Sequence, residues 1–302
     1  MKNITRRKLI KNSITGVCAT GAISLLSPLA NGLNRGDRGR APAMFIGHGD
    51  PMNVIQDSNF TQEWERIGKV LASGDKPLAI LCVSAHWQSD ETLVSTTSGT
   101  DLIYDFYGFP KKMYNLQYPA PGFPGGQKMV NSLLNDTTIV GDPNRGLDHG
   151  AWCVLTKLFP KASVPVFQMS LSRALSPAQH YDLAREISQL RDRGVMIIGS
   201  GNLTHNMRSW KRDASLGQTH LVHDWAEAFD HAVAEKITKG DHNTLVRIAQ
   251  DKPSLFRMAH PTDEHYLPLL YSLGAQHKKD DVNFFATGFE DGSFSMRSVL
   301  MS

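Results

Sequence analysis

Four short runs along the chain are apolar at nearly every position: AMFI (43–46), LAILCVS (78–84), VPVFQMSL (164–171) and VMIIGS (195–200). Runs of this length, without helical spacing, predict strands buried on both faces. Between them the apolar positions spread to helical intervals, most clearly over 61–73, 125–135 and 177–194. The last of these opens after Ser176 with Pro177 in first place and closes at Gly194, both ordinary boundary signals. Strands alternating with helices predict βαβ units. Near the C-terminus, 282–300 reads as two strands around Asp291-Gly292, a hairpin signal. The expected fold is α/β: a single domain with a central mixed, largely parallel sheet flanked by helices.

The N-terminus breaks this pattern. Lys2, Arg6, Arg7, Lys8 and Lys11 precede a weakly apolar run from Ser13 to Leu29, and small residues follow near Ala30. That is a signal-peptide layout. The segment TRRKLIK (5–11) resembles a twin-arginine export address. The alternative is a frayed basic terminus. The expected organisation is a leader over 1–30, a polar linker over 31–40 and a catalytic domain over 41–302. The protein would then be periplasmic or otherwise exported, meeting the twin-arginine machinery transiently and keeping no stable membrane anchor.

The leader also changes the charge argument. The chain has 32 basic and 29 acidic residues, net +3. Removing five basic residues and no acidic ones leaves 27 basic, a net charge of −2. No other stretch concentrates Lys and Arg, so no nucleic-acid partner is expected. Of three cysteines, Cys18 falls in the leader; Cys82 and Cys153 are expected to be buried free thiols.

The chemistry lies with the histidines, of which there are twelve. His180, His220, His223, His231, His242 and His277 suggest no special role. Three others follow predicted strands: His48 after AMFI, His86 after LAILCVS and His205 after VMIIGS. In open α/β sheets the ligand crevice lies outside the strand C-termini. His265 is expected in the first turn of a helix over 264–273, capped by Thr262 or Asp263 and complicated by Pro268. His149 lies in GLDHGAW, just before another apolar segment. Imidazoles gathered at one sheet edge suit a first-row metal. His48 and His86 are the best pair, with His265 as third ligand and Glu264 as the alternative. His205 is either a fourth ligand or a base. The segment 104–126, rich in aromatics, Pro and Gly, is a candidate lid or pocket wall; the plainer reading is a loop whose aromatics pack on the core.

GHGDPMN (47–53), SAHW (84–87), YDFYGFP (104–110), YPAPG (118–122), LDHGAW (147–152), SGNLTHN (200–206) and EHYLPLLY (264–271) follow one another in this order. As a set they resemble the class III extradiol ring-cleavage dioxygenases, in the DOPA 4,5-dioxygenase-like branch. The resemblance spans nearly all of the chain after the leader. It implies one divalent metal per chain, Fe(II) for activity with Zn(II) as the alternative, in a cleft at the strand C-terminal edge. It implies a small catechol and O2 as substrates. Carried over by motif, His48, His86 and His265 are metal-site residues. His205 is the acid/base histidine, sometimes counted as a ligand, and His149 lies near the substrate. Phe106, Tyr107 and Phe109 become candidate ring-packing walls. Asp50 departs from the family's usual serine, and could hydrogen-bond the metal ligands, tighten the site or merely cap a turn. Two rivals stand beside this reading: a zinc hydrolase on the same scaffold, and a non-catalytic metal- or ligand-binding protein.

Overall fold

The computed structural model describes residues 39–99 and 101–302. The expected leader and most of the expected linker lie outside the described residues. In chain order the elements are β1 (Ala43–Gly47), α1 (Asn59–Ser73), β2 (Ala79–Ser89), β3 (Leu93–Ser95), α2 (Gly126–Asn131), β4 (Val140–Asp142), α3 (His149–Leu158), β5 (Val166–Ser172), α4 (Pro177–Glu186) and β6 (Val195–Gly201). They continue with α5 (Met207–Leu216), α6 (Asp224–Thr238), α7 (His242–Asp251), α8 (Pro253–Ala259), α9 (Leu267–Gly274), β7 (Val282–Phe285), β8 (Phe289–Glu290), β9 (Phe294–Ser295) and β10 (Ser298–Met301).

Eight strands form one sheet in the order β4-β3-β5-β2-β6-β1-β10-β7. Its centre, β5-β2-β6-β1, is parallel, while β10 and β7 add an antiparallel edge. This is the mixed, largely parallel sheet expected from the apolar runs. Successive residues of β1 and β2 feed opposite cores. Phe45, Leu81 and Val83 pack on the side of α4 and α6–α9, whereas Met44, Ile46, Ile80 and Cys82 pack on the side of α1 and α3, with Trp64 and Trp152. Burial on both faces is why these strands lack polar alternation. Cys82 and Cys153 are buried and unpaired, as expected. Among the described residues no helix is long and apolar enough to cross a membrane.

Several boundaries differ from the sequence expectation, for local reasons. β2 continues to Ser89, so His86 lies inside extended backbone rather than after it. Its pairing with β6 nevertheless stops at Ser84, and its register with β5 shifts between Val83 and Gln88. α2 stops at Asn131, whose side chain turns to bond both the N–H and the C=O of Ile139. The helix over 177–194 tightens to a 3-10 turn from Ile187 to Arg193, where fully buried Arg191 turns inward to the Ala41, Ala275 and Met301 carbonyls. α9 begins at Leu267, not Glu264, because Pro268 falls in its first turn, where a missing N–H is harmless. His265 therefore sits in the turn before the helix. The C-terminal stretch holds four strands. Asp291-Gly292 opens the three-residue turn of the short β8–β9 pair, both in the left-handed region with φ of 49° and 69°.

Candidate active site

Strand register brings the first two histidines together. Ile46 of β1 and Ser84 of β2 both lie beside Ser200 of β6. His48 and His86 each follow two residues later, so they flank the end of β6 at one level and project with the same parity. Their Nε2 atoms stand 3.2 Å apart. The chain can deliver His48 there only over bare backbone. Gly49 turns with φ +60°, and a Cβ on it would strike Glu290 and Met296. His265 arrives from a different direction: a Cβ on Gly201 would lie 2.2 Å from the His265 carbonyl oxygen, so the glycine lets that turn lie directly on the end of β6.

The hydrogen bonds fix which nitrogen each ring presents. Ser200 donates its hydroxyl to the Gly150 carbonyl at 2.6 Å, so it accepts from His48 Nδ1 at 2.9 Å. His48 Nε2 is then a bare lone pair. His265 Nδ1 donates to the Glu264 carboxylate at 3.0 Å, which leaves a buried Nε2 with no partner. His86 Nδ1 stands 3.7 Å from Asp105 Oδ2, which favours a bare Nε2 on that ring as well. Two lone pairs facing each other at 3.2 Å repel unless a cation lies between them. Nitrogens bound at ~2.0–2.1 Å to one metal stand roughly 3.0–3.4 Å apart. The His48–His86 pair therefore has the spacing of two ligands on one metal. Burial first, then the charges of neighbouring histidines, push all three pKa values well below the usual imidazole range and keep the rings in the neutral ligand form.

Glu264 accepts from both Thr262 and His265, so it orients the histidine. His149 is the first residue of α3, capped by Asp148. Its backbone N–H and its Nδ1 both donate to Asp105 Oδ1, at 3.0 and 2.9 Å. Burial alone would raise the Asp105 pKa, but these bonds and the facing histidines outweigh it and hold the carboxylate at about 2. An ionised Asp105 accepts only, so His149 also presents a bare Nε2. Its nitrogens cluster with those of His48 and His86 within 4.8 Å, as those of His205 cluster with Glu264 and His265. The His205 ring stacks on His265, centroids 3.5 Å apart and planes 5° from parallel. Burial, reinforced by the histidines around it, lowers its pKa to about 3.

The five histidines line one cavity of about 640 Å³. Phe106, Tyr107 and Phe109 line it too, so residues 106–109 are a pocket wall, while Met113, Tyr118 and Ala120 farther along the same segment pack in the core; Phe106 is buried and Tyr107 is 92% exposed. Sequence reasoning missed Asp105, Ser200, Trp210, Lys211, Asp291 and Phe294. The available signals were for Asp105 and Ser200, which sit inside the YDFYGFP and SGNLTHN motifs. Asp50 caps the 3-10 turn Pro51–Val54 by accepting from Met52 N, and its own N–H donates to Glu290 at 2.6 Å. Burial, and to a smaller degree the nearby charge of Asp291, raise the Asp50 pKa; burial pushes Glu290 up to about 7.

Residues 42–291 match the family described as the catalytic LigB subunit of aromatic ring-opening dioxygenase. A "4,5-DOPA dioxygenase extradiol" of Escherichia coli K12 is 38% identical over 266 residues, covering 86% of this chain and 94% of that protein. A protein of the same name from Beta vulgaris is 35% identical over 257 residues, covering 84% and 94%. A solved structure from Escherichia coli K12, described as an uncharacterized protein, superposes with a TM-score of 0.72 at 34% identity, covering 87% of this chain and all of that one. By its sheet, its histidine-lined cavity and these relatives, the chain belongs to the LigB family of extradiol ring-opening dioxygenases.

Proposed function

We propose that this protein opens the ring of a catechol with O2, using one divalent metal held by His48, His86 and His265. The observation that carries the ligand set is its regularity. The three ring centroids form a near-equilateral triangle with sides of 5.0, 5.0 and 5.3 Å. An imidazole centroid stands roughly 3.2 Å from its metal, so ligands at ordinary angles have centroids roughly 4.5–5.2 Å apart. His149 fits this less well, at 3.8 Å from His86 and 5.8 Å from His48. His205 is parallel to His265, so a metal in the plane of one ring would lie about 3.5 Å from the plane of the other, beyond bonding reach. His149 and His205 are thereby assigned to proton handling.

What the metal supplies is Lewis acidity toward the catechol oxygens and, for iron, a redox route from the ring to O2. The side chains do the rest. His149, fixed by Asp105 with Nε2 toward the cavity, accepts a catechol proton. The Asp105 carboxylate stabilises the imidazolium that forms. His205 faces the same cavity from the other side of His265 and serves the later proton transfer. Phe106, Phe109 and Phe294 wall the cavity with apolar surface and restrict water around the ring.

The test is to load the protein with Fe(II) without oxygen, add DOPA or a simpler catechol, and admit air. Oxygen consumption together with a yellow ring-fission product is expected. No uptake with iron bound would contradict the reading, and hydrolytic activity with zinc would replace it. Export through the twin-arginine route remains part of the proposal. It rests on residues 5–30 alone and is tested by locating the folded protein in cells with and without Arg6 and Arg7.

A further inference from the structure

β2 carries His86 through a stretch that the sheet itself does not hold. Its pairing with β6 ends at Ser84, and its register with β5 breaks between Val83 and Gln88. Side chains bond the main chain of His86 instead. Its N–H donates to Ser84 Oγ at 3.2 Å, and its carbonyl accepts from a terminal nitrogen of Arg145 at 3.3 Å. Both side chains converge on one carboxylate. Ser84 donates to Asp148 Oδ1 at 2.6 Å, and Arg145 donates to Asp148 Oδ2 at 2.7 Å. Gln168 of β5 adds a third bond at 2.8 Å, and Asp148 is fully buried. The guanidinium also lies over the Trp87 ring, 4.7 Å from its centroid.

Asp148 is at the same time the cap of α3, accepting from Ala151 N, and His149 follows it directly. One carboxylate thus joins the strand that brings His86 to the helix that brings His149, whose ring centroids are 3.8 Å apart. A cap needs no charge, since serine or asparagine serves as well. A buried ion pair is also weak evidence for stability. Capping and stability therefore leave Arg145 unexplained, whereas its bond to the His86 carbonyl has a direct use. We propose that Arg145 is a positioning residue: held on Asp148, it fixes His86 and His149 relative to each other. It does not line the cavity and acts through those two rings. What the rings then do rests on the ring-cleavage reading; that Arg145 places them does not.

The test compares Arg145→Met, Arg145→Lys and a double variant, Arg145→Met with Asp148→Asn, each beside the unaltered protein. Three things are read: Zn(II) affinity against a competing chelator, kcat and KM for a catechol with Fe(II) and O2, and the thermal midpoint of the metal-free protein. Arg145→Met leaves a buried carboxylate unpaired, so its midpoint should fall. The double variant removes that charge and keeps a capping oxygen, so its midpoint should recover. Zn(II) affinity and kcat should stay about 10–100-fold down in both, the usual loss when a ligand's support is removed. KM should change less than about threefold, because no contact with substrate is lost. Arg145→Lys keeps the charge without the planar fork and should fall between these and the unaltered protein. Affinity and kcat that recover with the midpoint in the double variant would make the pair structural only and overturn the proposal. Unchanged Zn(II) affinity in Arg145→Met, or in the double variant should the single one not fold, would overturn it too. Failure of the ring-cleavage reading shows separately, as unaltered iron-loaded protein that consumes no oxygen while the Zn(II) affinities still follow this order.

Discussion

His180 and His265 are both buried histidines next to α9, and they serve opposite ends. His180 has both nitrogens satisfied: Nε2 donates to the Ser172 carbonyl, and Nδ1 accepts from the Tyr271 hydroxyl at 2.9 Å. It completes the packing of α4 on α9. His265 has one nitrogen held by Glu264 and the other left bare inside the protein. A buried polar atom without a partner costs about 1–3 kcal/mol. Neither burial nor a bare nitrogen alone separates a structural histidine from a functional one, since buried His260 also keeps an unpartnered Nδ1; His265 differs in presenting its bare nitrogen to a cavity lined by four other imidazoles.

The comparison breaks first on metal. Substituting alanine for His48 or His86 should abolish both metal binding and oxygen uptake. Metal content and activity are both read, and an active His86→Ala enzyme would undo the ligand set. The next effect is on proton transfer. His205→Ala should lower kcat by about 10²–10⁴-fold with metal retained, the range for a lost acid–base group. If metal is lost in step with activity, His205 is a ligand. A smaller effect is expected from Asp105→Asn, because the amide no longer fixes the His149 tautomer. Loss of such a partner typically costs about 10–100-fold in activity or metal affinity.

His180 should show none of this and act on stability alone. Burial lowers its pKa from 6.5 to about 4, so the unfolded chain takes up the proton first as pH falls. Its contribution is intact above about 6.5 and lost on descending to about 4, up to ~3 kcal/mol in all. Urea midpoints followed across that window should flatten in His180→Gln while metal content stays the same.

The sheet was legible because β1, β2, β5 and β6 are buried on both faces and therefore read as unbroken apolar runs. His48 and His205 were legible for the same reason, since each follows such a run. His86 was found by the same logic, although its strand outlasts its pairing with β6. His265 was placed in a helix that Pro268 in fact starts later. Asp105 and Ser200 lie inside the family motifs, but their tasks follow from register and from segments far apart in the chain, which no pattern of apolar and polar positions reveals. Ser200 looks like any strand serine until β6 is seen between the two histidine-bearing strands. Asp291 likewise reads only as a turn former, and its place on the cavity wall, bonded to Trp210 from α5, has no local signal.

The most direct test of the account compares the metal content of His265→Ala with that of His149→Ala, each prepared beside the unaltered protein. One metal per chain is expected in the unaltered protein and in His149→Ala, and almost none in His265→Ala. Metal retained by His265→Ala and lost by His149→Ala would contradict the account and move the metal into the His48, His86 and His149 cluster.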